Sequence, residues 1–575
     1  GAFLFSAMQL LESIYLQIIS QAKILPEAPK FYEDIIVHKN LNYYVAKKIA
    51  LENLFGVDLM QEGIDVANLR LYLALVSRLN KISEIEPMPI LEFNIRRGNL
   101  LVGFTNLQEL AQKNETGSLA IYADSKKILS LIEEINSDID ALNKGQLDTD
   151  IFSREVEKQR SIRSKLSRLK GLTNTLYVDH VNSHLETQEF VETHVPFTWP
   201  AEFPQIFQEK GGFDVIIGNP PYVGKTKIKS YFFQGGKTAK CPDIYATCTE
   251  RATRLLNDSG TIGFIVPMSL SWSKKYQSLR DYLTENFKFN MYSTFAKDPS
   301  ALFNGSKGKI KIRNTVYIGN NDGNGLYATN HNVWRNDYRM FLFRNLQHYK
   351  SKGDLNGIWP KLGNPLAKKV LYDYTDSFKS RTIGYYMVKD SKNKLFYKKI
   401  AGYWFPLLFE NFPVYSKDGS IKYNEDPYVG TLNFETEEIK YAIAALLASK
   451  FGYFWQAVIG DDFHTTEDFV KSFPLLKDFE DHIDTLSNFG KELENMVNNN
   501  HDHRVWITNN TVVSNIMWSD IELKNYIAEN IDKYIFDYLD IPEHRVLLFQ
   551  NTYDSLNVKT QDVRGQRGLK PSFNE

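Results

Sequence analysis

The sequence predicts an α/β protein built on a mostly parallel, doubly wound sheet. Three observations carry that expectation. Short continuous apolar runs alternate with stretches whose apolar residues recur at helical spacing, the pattern of strands covered on both faces by helices. The runs end in polar or acidic residues, where a doubly wound sheet presents its ligands. And 575 residues exceed what one hydrophobic core serves, so several domains or one large domain with insertions are expected.

The first strand-to-helix pair runs from Glu52 to Asp58, an apolar strand closed by an acidic residue, and continues from Gln61 into a helix with Ile64, Ala67, Leu71 and Leu75 on one face. Next, Ala120–Asn143 and Phe152–Leu172 are charged and helix-favouring, and the turn-like Lys144-Gly145-Gln146-Leu147-Asp148 separates them. This predicts an inserted helical hairpin, whose plainest reading is a solvated spacer. The strand Phe213–Gly218 then leads through a loop to a helix around Asp243–Leu256, with Tyr245, Cys248, Ala252 and Leu255 on one face, and Thr261–Val266 closes a βαβ crossover. After about Gly325 the chain becomes aromatic-rich and short-period, as in Tyr385–Tyr403, and helices resume near Glu437. The expected divisions are 1–105 and 182–325 for the two parts of the sheet domain, 106–181 for the hairpin, and 326–575 for a C-terminal mixed α+β domain. The polar tail Gln561–Glu575 is expected to be mobile.

Composition narrows the function. A hydrophobic share of 43% with 24% charged residues is ordinary for a globular chain, and no window holds eighteen uninterrupted apolar residues, so no membrane partner is expected. The opening Gly1-Ala2-Phe3-Leu4-Phe5-Ser6 has no basic leader, and Glu12 interrupts the apolar run, so it reads as a buried helix. Cys241 and Cys248 are the only cysteines and form no CxxC pair, which supports neither a disulfide scaffold nor a zinc site and suits a reducing, cytoplasmic setting. A net charge of −1 excludes a surface coated in positive charge; contact with nucleic acid would need a local basic groove.

The sharpest chemical signal is Asn219-Pro220-Pro221-Tyr222, directly after the strand ending at Gly218. At ~5% usage of each residue type, such a tetrapeptide arises by chance in roughly one chain in several hundred, so a mere proline turn explains it poorly. An exocyclic amine on a nucleobase is a weak nucleophile because its lone pair is delocalised, and acceptors aimed at its N–H bonds polarise it. The Asn219 oxygen and the Pro220 carbonyl can supply two, the prolines keep the loop rigid, and Tyr222 can stack on the base. A base in a duplex must be flipped out to reach such a pocket, at a cost of a few kcal/mol partly recovered by stacking.

With these residues the chain resembles the gamma-class N6-adenine DNA methyltransferases, particularly the long kind associated with type IIG restriction-modification and related phage-defence systems. The resemblance implies a Rossmann-like methyltransferase core, S-adenosylmethionine as cofactor, double-stranded DNA as partner and a C-terminal target recognition domain. In that family a Gly-rich loop followed by Ala-Phe wraps the methionine end of the cofactor. Gly1, Ala2 and Phe3 match only its end, which implies a sequence truncated at its front edge. Asn53–Asp58 resembles the next motif, making Asp58 the residue that accepts the cofactor's ribose hydroxyls; Asn94–Leu100 resembles the third, implying that Asn99 contacts the cofactor adenine and Leu100 packs on it. Relatives often carry Asp at the Asn99 position, so Asn99 is either a variant of the motif or a plain turn residue. Pro299–Gly305 followed by Arg313–Ile318 resembles the eighth motif, whose aromatic residue, here Phe303, sandwiches the flipped base opposite Tyr222; core packing is the competing reading.

Two basic stretches are candidate DNA contacts. Lys225, Lys227, Lys229, Lys237 and Lys240 follow the tetrapeptide without one acidic residue between Val223 and Lys240, which suits phosphate contact near the flipped base. Arg381, Lys389, Lys392, Lys394, Lys398 and Lys399 are interleaved with Tyr385, Tyr386, Phe396, Tyr397 and Tyr403. Gly460–Asp468 clusters carboxylates and a His but reads as a helix start, Thr465-x-x-Asp468, and no metal site is expected. The expected reaction is in-line methyl transfer to a flipped adenine with no dedicated base. An endonuclease domain upstream, or a partner subunit, would supply any cleavage. Competing readings are transfer to cytosine N4, to a guanine amino group of ribosomal RNA or to a protein glutamine, and a DNA-binding specificity fragment without activity; size, motif order and Asn219 favour adenine in DNA.

Overall fold

The computed structural model describes residues 1–22, 38, 40–86, 88–106, 108–109, 119–147, 152–181, 183–228, 236–297, 300–305, 308–309, 312–334, 339–355, 357–365, 367–368, 371–372, 381–399, 407–409, 413–416, 421–423, 429–461, 464–476, 478–499, 502–508, 511–517 and 521–540. Lys229, Pro299 and the tail Gln561–Glu575 lie outside the described residues. The fold is mixed α/β, and its contacts divide into two compact units. One comprises Gly1–Ile265, Asp281–Lys288 and Ile318–Gly323, the other Val266–Arg280, Phe289–Tyr317 and Asn324–Glu575.

In the first unit, helices α1 (Ala2–Ala22), α2 (Leu41–Glu52) and α3 (Gln61–Val76) enclose one core. The α3 face predicted from spacing is the buried one: Ile64, Ala67, Leu71 and Leu75 are all buried. The strand expected from Glu52 is shorter than the apolar pattern suggested, because α2 occupies the chain up to that residue and β1 spans only Gly56–Asp58. Asn40 starts α2 by accepting the Tyr43 amide. β1 pairs in parallel with β2 (Ile95–Arg97), and buried Asn94 fixes their approach by donating to the Leu51 and Leu54 carbonyls at 2.7 and 3.2 Å.

The hairpin forms from α4 (Leu119–Leu147) and α5 (Phe152–His180). It is no solvated spacer. Ile128, Ile132, Ile135, Ile139 and Leu142 of α4 and Ile162 and Leu169 of α5 form a buried seam that also takes in Phe93 and Ala201. Reading charge alone missed it, because the apolar stripe is narrow and Ile-rich between charged flanks. The expected turn at Lys144 begins later, since α4 continues through Leu147.

β3 (Phe213–Gly218) and β4 (Leu256–Pro267) pair in parallel, with α6 (Ile244–Thr253) between them in the chain, which is the expected crossover. The predicted α6 face, Tyr245, Cys248 and Ala252, is buried together with Leu255. Phe213 anchors the start of β3: the rings of Phe55, Trp199, Phe203 and Phe207 meet it edge-on at 5.9, 5.9, 6.0 and 5.7 Å. Val215 and Ile217 of β3 remain exposed, so this strand is not buried on both faces as its composition suggested.

In the second unit, Phe289–Phe295 pairs in parallel with Gly325–Ala328, and Asn393–Lys398 pairs antiparallel with Leu407–Leu408 and Val429–Phe434. Its largest core lies around helices Glu437–Ala448, Lys450–Ile459 and Phe479–Asn499. Thr436 and Ser449 cap the first two by accepting the amides of Ile439 and Gly452. By length and composition, among the described residues, one helix, Ala2–Ala22, is apolar enough to cross a membrane, and the bent pair Glu437–Ala448 and Lys450–Ile459 is a second candidate. α1 packs through Met8, Ile19 and Ala22 and its Glu12 pairs with Arg78 at 2.5 Å, but Leu10, Ile14, Leu16 and Ile18 are exposed, so it is not the buried helix expected from its composition.

A π-helical turn at Ile527–Asp532 carries an internal carboxylate. Asp532 is 2% exposed, accepts the Lys450 amide at 2.7 Å and lies 3.7 Å from the Lys450 ammonium. Burial pushes its pKa up from 3.8 to about 6 against the opposing pull of Lys450. A folded-state pKa above the unfolded one means stability that is fully present below about pH 4 and lost as pH rises through about 6. Asp532→Asn keeps an acceptor for the Lys450 amide and removes the ionisation. Its thermal midpoint should therefore match or exceed the parent's at pH 7 and lose the decline between pH 4 and 7, as scanning calorimetry across that range would read.

Candidate functional site

β3 ends at Gly218, paired with Phe264 of β4, and the chain turns sharply outward. Asn219 and Pro221 are exposed, Pro220 is buried and Tyr222 is half-buried. The Tyr222 hydroxyl lies 2.5 Å from Asn219 Oδ1 and 3.0 Å from the Ile265 carbonyl, and it donates into this pair of acceptors. Ile265 follows the β-partner of Gly218, so the hydroxyl ties the turn back to the neighbouring strand. Burial pushes the Tyr222 phenol far above its usual range, so it stays a protonated donor at any working pH. Its ring meets Tyr245 of α6 edge-on at 6.5 Å. Asn219 is thus an exposed amide whose oxygen is already oriented. With two lone pairs, that oxygen can accept a further donor from outside.

The chain after the tetrapeptide is laced to the residues that precede α6. Ile244 donates to the Val223 carbonyl, Lys225 to the Pro242 carbonyl, and Gly224 bridges Asp243. The Lys225 ammonium turns inward to the carbonyls of Thr238 and Ala239 at 3.1 and 2.9 Å, and its burial lowers its pKa. Of the lysines expected to contact phosphate, Lys225 therefore serves as a loop staple. Lys227 and Lys240 are exposed, and exposed Lys237 pairs with Glu285.

Two buried charged residues that composition did not reveal lie side by side on α6. Glu250, 1% exposed, accepts from the Thr238 amide at 2.9 Å, the Thr238 hydroxyl at 2.7 Å, the Lys237 amide at 3.2 Å and Arg254 at 2.6 Å. Burial would raise its pKa, but these hydrogen bonds from Thr238 and Arg254 win and hold it below the usual carboxylate value. Arg251, 5% exposed, donates to the Leu100 and Gly103 carbonyls at 2.7 and 2.5 Å. The only signal in the sequence was their adjacency on a helix whose other residues are apolar or small.

The residues matched to cofactor motifs fall in the same unit. Asp58 ends β1, exposed; its Oδ1 accepts the Met60 amide at 2.9 Å, and its backbone carbonyl accepts Gly98. A β-carbon at Gly63 would sit 2.8 Å from this carboxylate, so glycine lets Asp58 lie over the first turn of α3. Gly1 packs against Ala67 and Arg70 of α3, within the electrostatic reach of Asp58. Ala2 and Phe3 open α1, and Phe3 is 40% exposed. The remaining Asp58 oxygen suits a ribose hydroxyl. Asn99 is 6% exposed and spends its amide internally, donating to the His194 carbonyl and accepting the Leu101 amide, both at 3.0 Å, while Leu100 is half-buried beside it. The Asn99 side chain is thus engaged within the turn in this arrangement.

Phe303 belongs to the second unit, half-buried against a cluster of Phe295, Leu302 and Trp334. In the basic-aromatic stretch, Phe396 and Tyr397 are core residues, Lys392 and Lys399 are exposed, Lys398 is half-buried, and Lys394 pairs with Asp390 at 3.2 Å. Thr465 donates its amide and hydroxyl to the carbonyls of Lys399 and Lys398. The helix start expected at Thr465 is therefore displaced by one residue: Thr466 caps Glu467–Lys471 by accepting the Phe469 amide. Asp461 holds the His464 ring at 2.5 Å. Among the described residues no group of three His, Cys, Asp or Glu side chains is placed to hold a metal ion. An open cleft of about 660 Å³ lies at the opposite end of β3, lined by Lys210, Asp214, Asn257 and Asp258 among others, away from the tetrapeptide.

Residues 52–302 match the family described as Eco57I restriction-modification methylase. The chain is 26% identical over 300 residues to a putative type II restriction enzyme and methyltransferase of Methanocaldococcus jannaschii, a match covering 43% of this chain and 25% of that protein. It is 30% identical over 81 residues to a type II methyltransferase of Geobacillus stearothermophilus, covering 13% of this chain and 14% of that one. The matches thus span well under two thirds of either relative. A nuclease-deletion mutant of a Type ISP restriction-modification enzyme, solved with a DNA substrate mimic, aligns with 88% of this chain and 68% of its own at 13% identity and a TM-score of 0.31.

Removing the Tyr222 hydroxyl isolates the tie between the turn and β4. Tyr222→Phe should destabilise the first unit by about 1 kcal/mol, the scale of one hydrogen bond lost at exposed and half-buried acceptors, and speed amide exchange at Val223–Lys225. Unchanged exchange in hydrogen–deuterium mass spectrometry would show that the hydroxyl does not hold the turn.

Proposed function

We propose that the chain is the catalytic and DNA-recognition part of an S-adenosylmethionine-dependent DNA methyltransferase that methylates the N6 amino group of adenine within a restriction-modification system. The observation that carries this reading is the tetrapeptide turn: an exposed amide whose oxygen is oriented by the hydroxyl of a half-buried tyrosine at the end of a parallel strand. It lies inside the segment matched to the restriction-modification methylase family. The names of the methyltransferase relatives support the same reaction class.

In this proposal Asn219 Oδ1 and the Pro220 carbonyl accept the two N–H bonds of a flipped adenine and push electron density toward its nitrogen. Pro220 and Pro221 keep the acceptors in place without reorganisation, and Tyr222 holds Asn219 while offering its ring to the base. When bound, S-adenosylmethionine supplies an electrophilic methyl group on a sulfonium. Asp58 would hold its ribose, with Gly1, Ala2, Phe3 and Leu100 around it. Asn99 would support that pocket from behind, since its amide is committed to His194 and Leu101. The surplus proton leaves to water, and positioning with polarisation lowers the barrier. Lys227, Lys237 and Lys240 would meet phosphates near the flipped base. Phe303 is assigned to the far side of the base. Residues 326–575, with Lys392, Lys394, Lys398 and Lys399, are assigned to target recognition on double-stranded DNA in the cytoplasm, and any cleavage to an endonuclease domain or partner subunit.

Asn219→Ala removes the oriented acceptor and leaves the residues assigned to the cofactor untouched. Methyl transfer to DNA should fall by about 100-fold or more, the scale of losing one preorganised hydrogen-bonding group, while cofactor affinity by calorimetry changes less than about threefold. Transfer at the parent rate in a tritium-incorporation assay would remove Asn219 from the mechanism.

A further inference from the structure

The hydrogen bonds of Glu250 have a direction that core stability does not require. Three of the four donors on this buried carboxylate come from the consecutive residues Lys237 and Thr238, and the fourth, Arg254, lies one turn along the same helix. Gly236 is pressed against it, since a β-carbon there would fall 2.2 Å from Glu250 Oε1. From the other side, the Lys225 ammonium takes the carbonyls of Thr238 and Ala239. One short turn is therefore gripped by a carboxylate on its amides and an ammonium on its carbonyls. Lys225 lies three residues beyond Tyr222, and α6, which carries Glu250, also carries Tyr245 against the Tyr222 ring.

We propose that Glu250 is a positioning residue for the tetrapeptide loop: through the turn at Gly236–Cys241 and Lys225 it fixes where Tyr222, and with it Asn219, stands, and it sets the height of the Lys237 and Lys240 rim. This deepens the methyltransferase reading and rests on it. The carboxylate never meets the base or the methyl donor. It acts through the loop, so it affects the step that needs the base in place and not binding of the methyl donor.

The test uses the full chain with Glu250→Ala, Glu250→Gln and Glu285→Ala. Hydrogen exchange should accelerate about 10-fold or more at peptides containing Lys237 and Thr238 in Glu250→Ala, while the rest of the first unit keeps its protection. The turnover number for DNA methylation should drop about 10- to 100-fold with S-adenosylmethionine affinity within threefold, and Glu250→Gln, which keeps an acceptor oxygen, should recover most of that loss. Glu285→Ala, which frees the Lys237 ammonium without touching the grip, should leave exchange at Thr238 unchanged. Parent-like exchange and turnover in Glu250→Ala would overturn the proposal. So would a loss of protection across the whole first unit in both Glu250 variants, since that marks a general packing role. If the parent chain methylates no DNA, the functional reading falls by itself, and the exchange data still decide whether Glu250 holds the loop.

Discussion

The candidate site depends on two opposite charges buried next to each other on one helix. Taking a carboxylate or a guanidinium out of water costs several kcal/mol unless its hydrogen bonds are replaced. Glu250 and Arg251 meet that cost by reaching in different directions, the first to the amides of 237 and 238, the second to the carbonyls of Leu100 and Gly103. Each bond ties a loop to α6, so neither loop can shift without stranding a buried charge. One helix thereby holds both the segment that follows the tetrapeptide and the segment matched to the adenine-binding motif. Arg254 extends the same logic outward, from Glu250 at 2.6 Å to Glu109 at 3.6 Å.

The division between oriented and exposed groups follows from this anchoring. Asn219 projects from the end of a strand whose start, Phe213, is held among four aromatic rings, and its oxygen is aligned by the Tyr222 hydroxyl. A rigid frame with one amide facing outward is what polarisation of a weakly nucleophilic amine requires, because the donor–acceptor geometry costs little to reach.

Much of this was legible in the sequence, for identifiable reasons. The α3 and α6 faces were readable because apolar residues at helical spacing report burial directly, as at Ile64, Leu71 and Leu75. The tetrapeptide stood out because its composition is improbable and it follows a strand. What escaped notice was pairing at a distance. Nothing near Lys225 says that its ammonium turns inward to Thr238 and Ala239, nor does Asn99 announce that His194, far along the chain, takes its amide. The hairpin seam was hidden because charged neighbours dominate the average of α4 and α5 while the isoleucines between them decide the packing. The early start expected for β1 has another cause: Leu54 and Phe55 are apolar enough to extend the strand pattern, but Asn53 closes α2 and pairing with β2 begins only at Gly56.

Under the proposed function, this chain moves a methyl group onto adenine N6 in DNA. The most direct measurement incubates the protein with double-stranded DNA and isotope-labelled S-adenosylmethionine, digests the product to nucleosides and identifies the labelled species by mass spectrometry. Label in N6-methyl-2′-deoxyadenosine, confined to one short sequence context, is the predicted result. Label in N4-methylcytosine, or in RNA or protein with none in DNA, would contradict the claim.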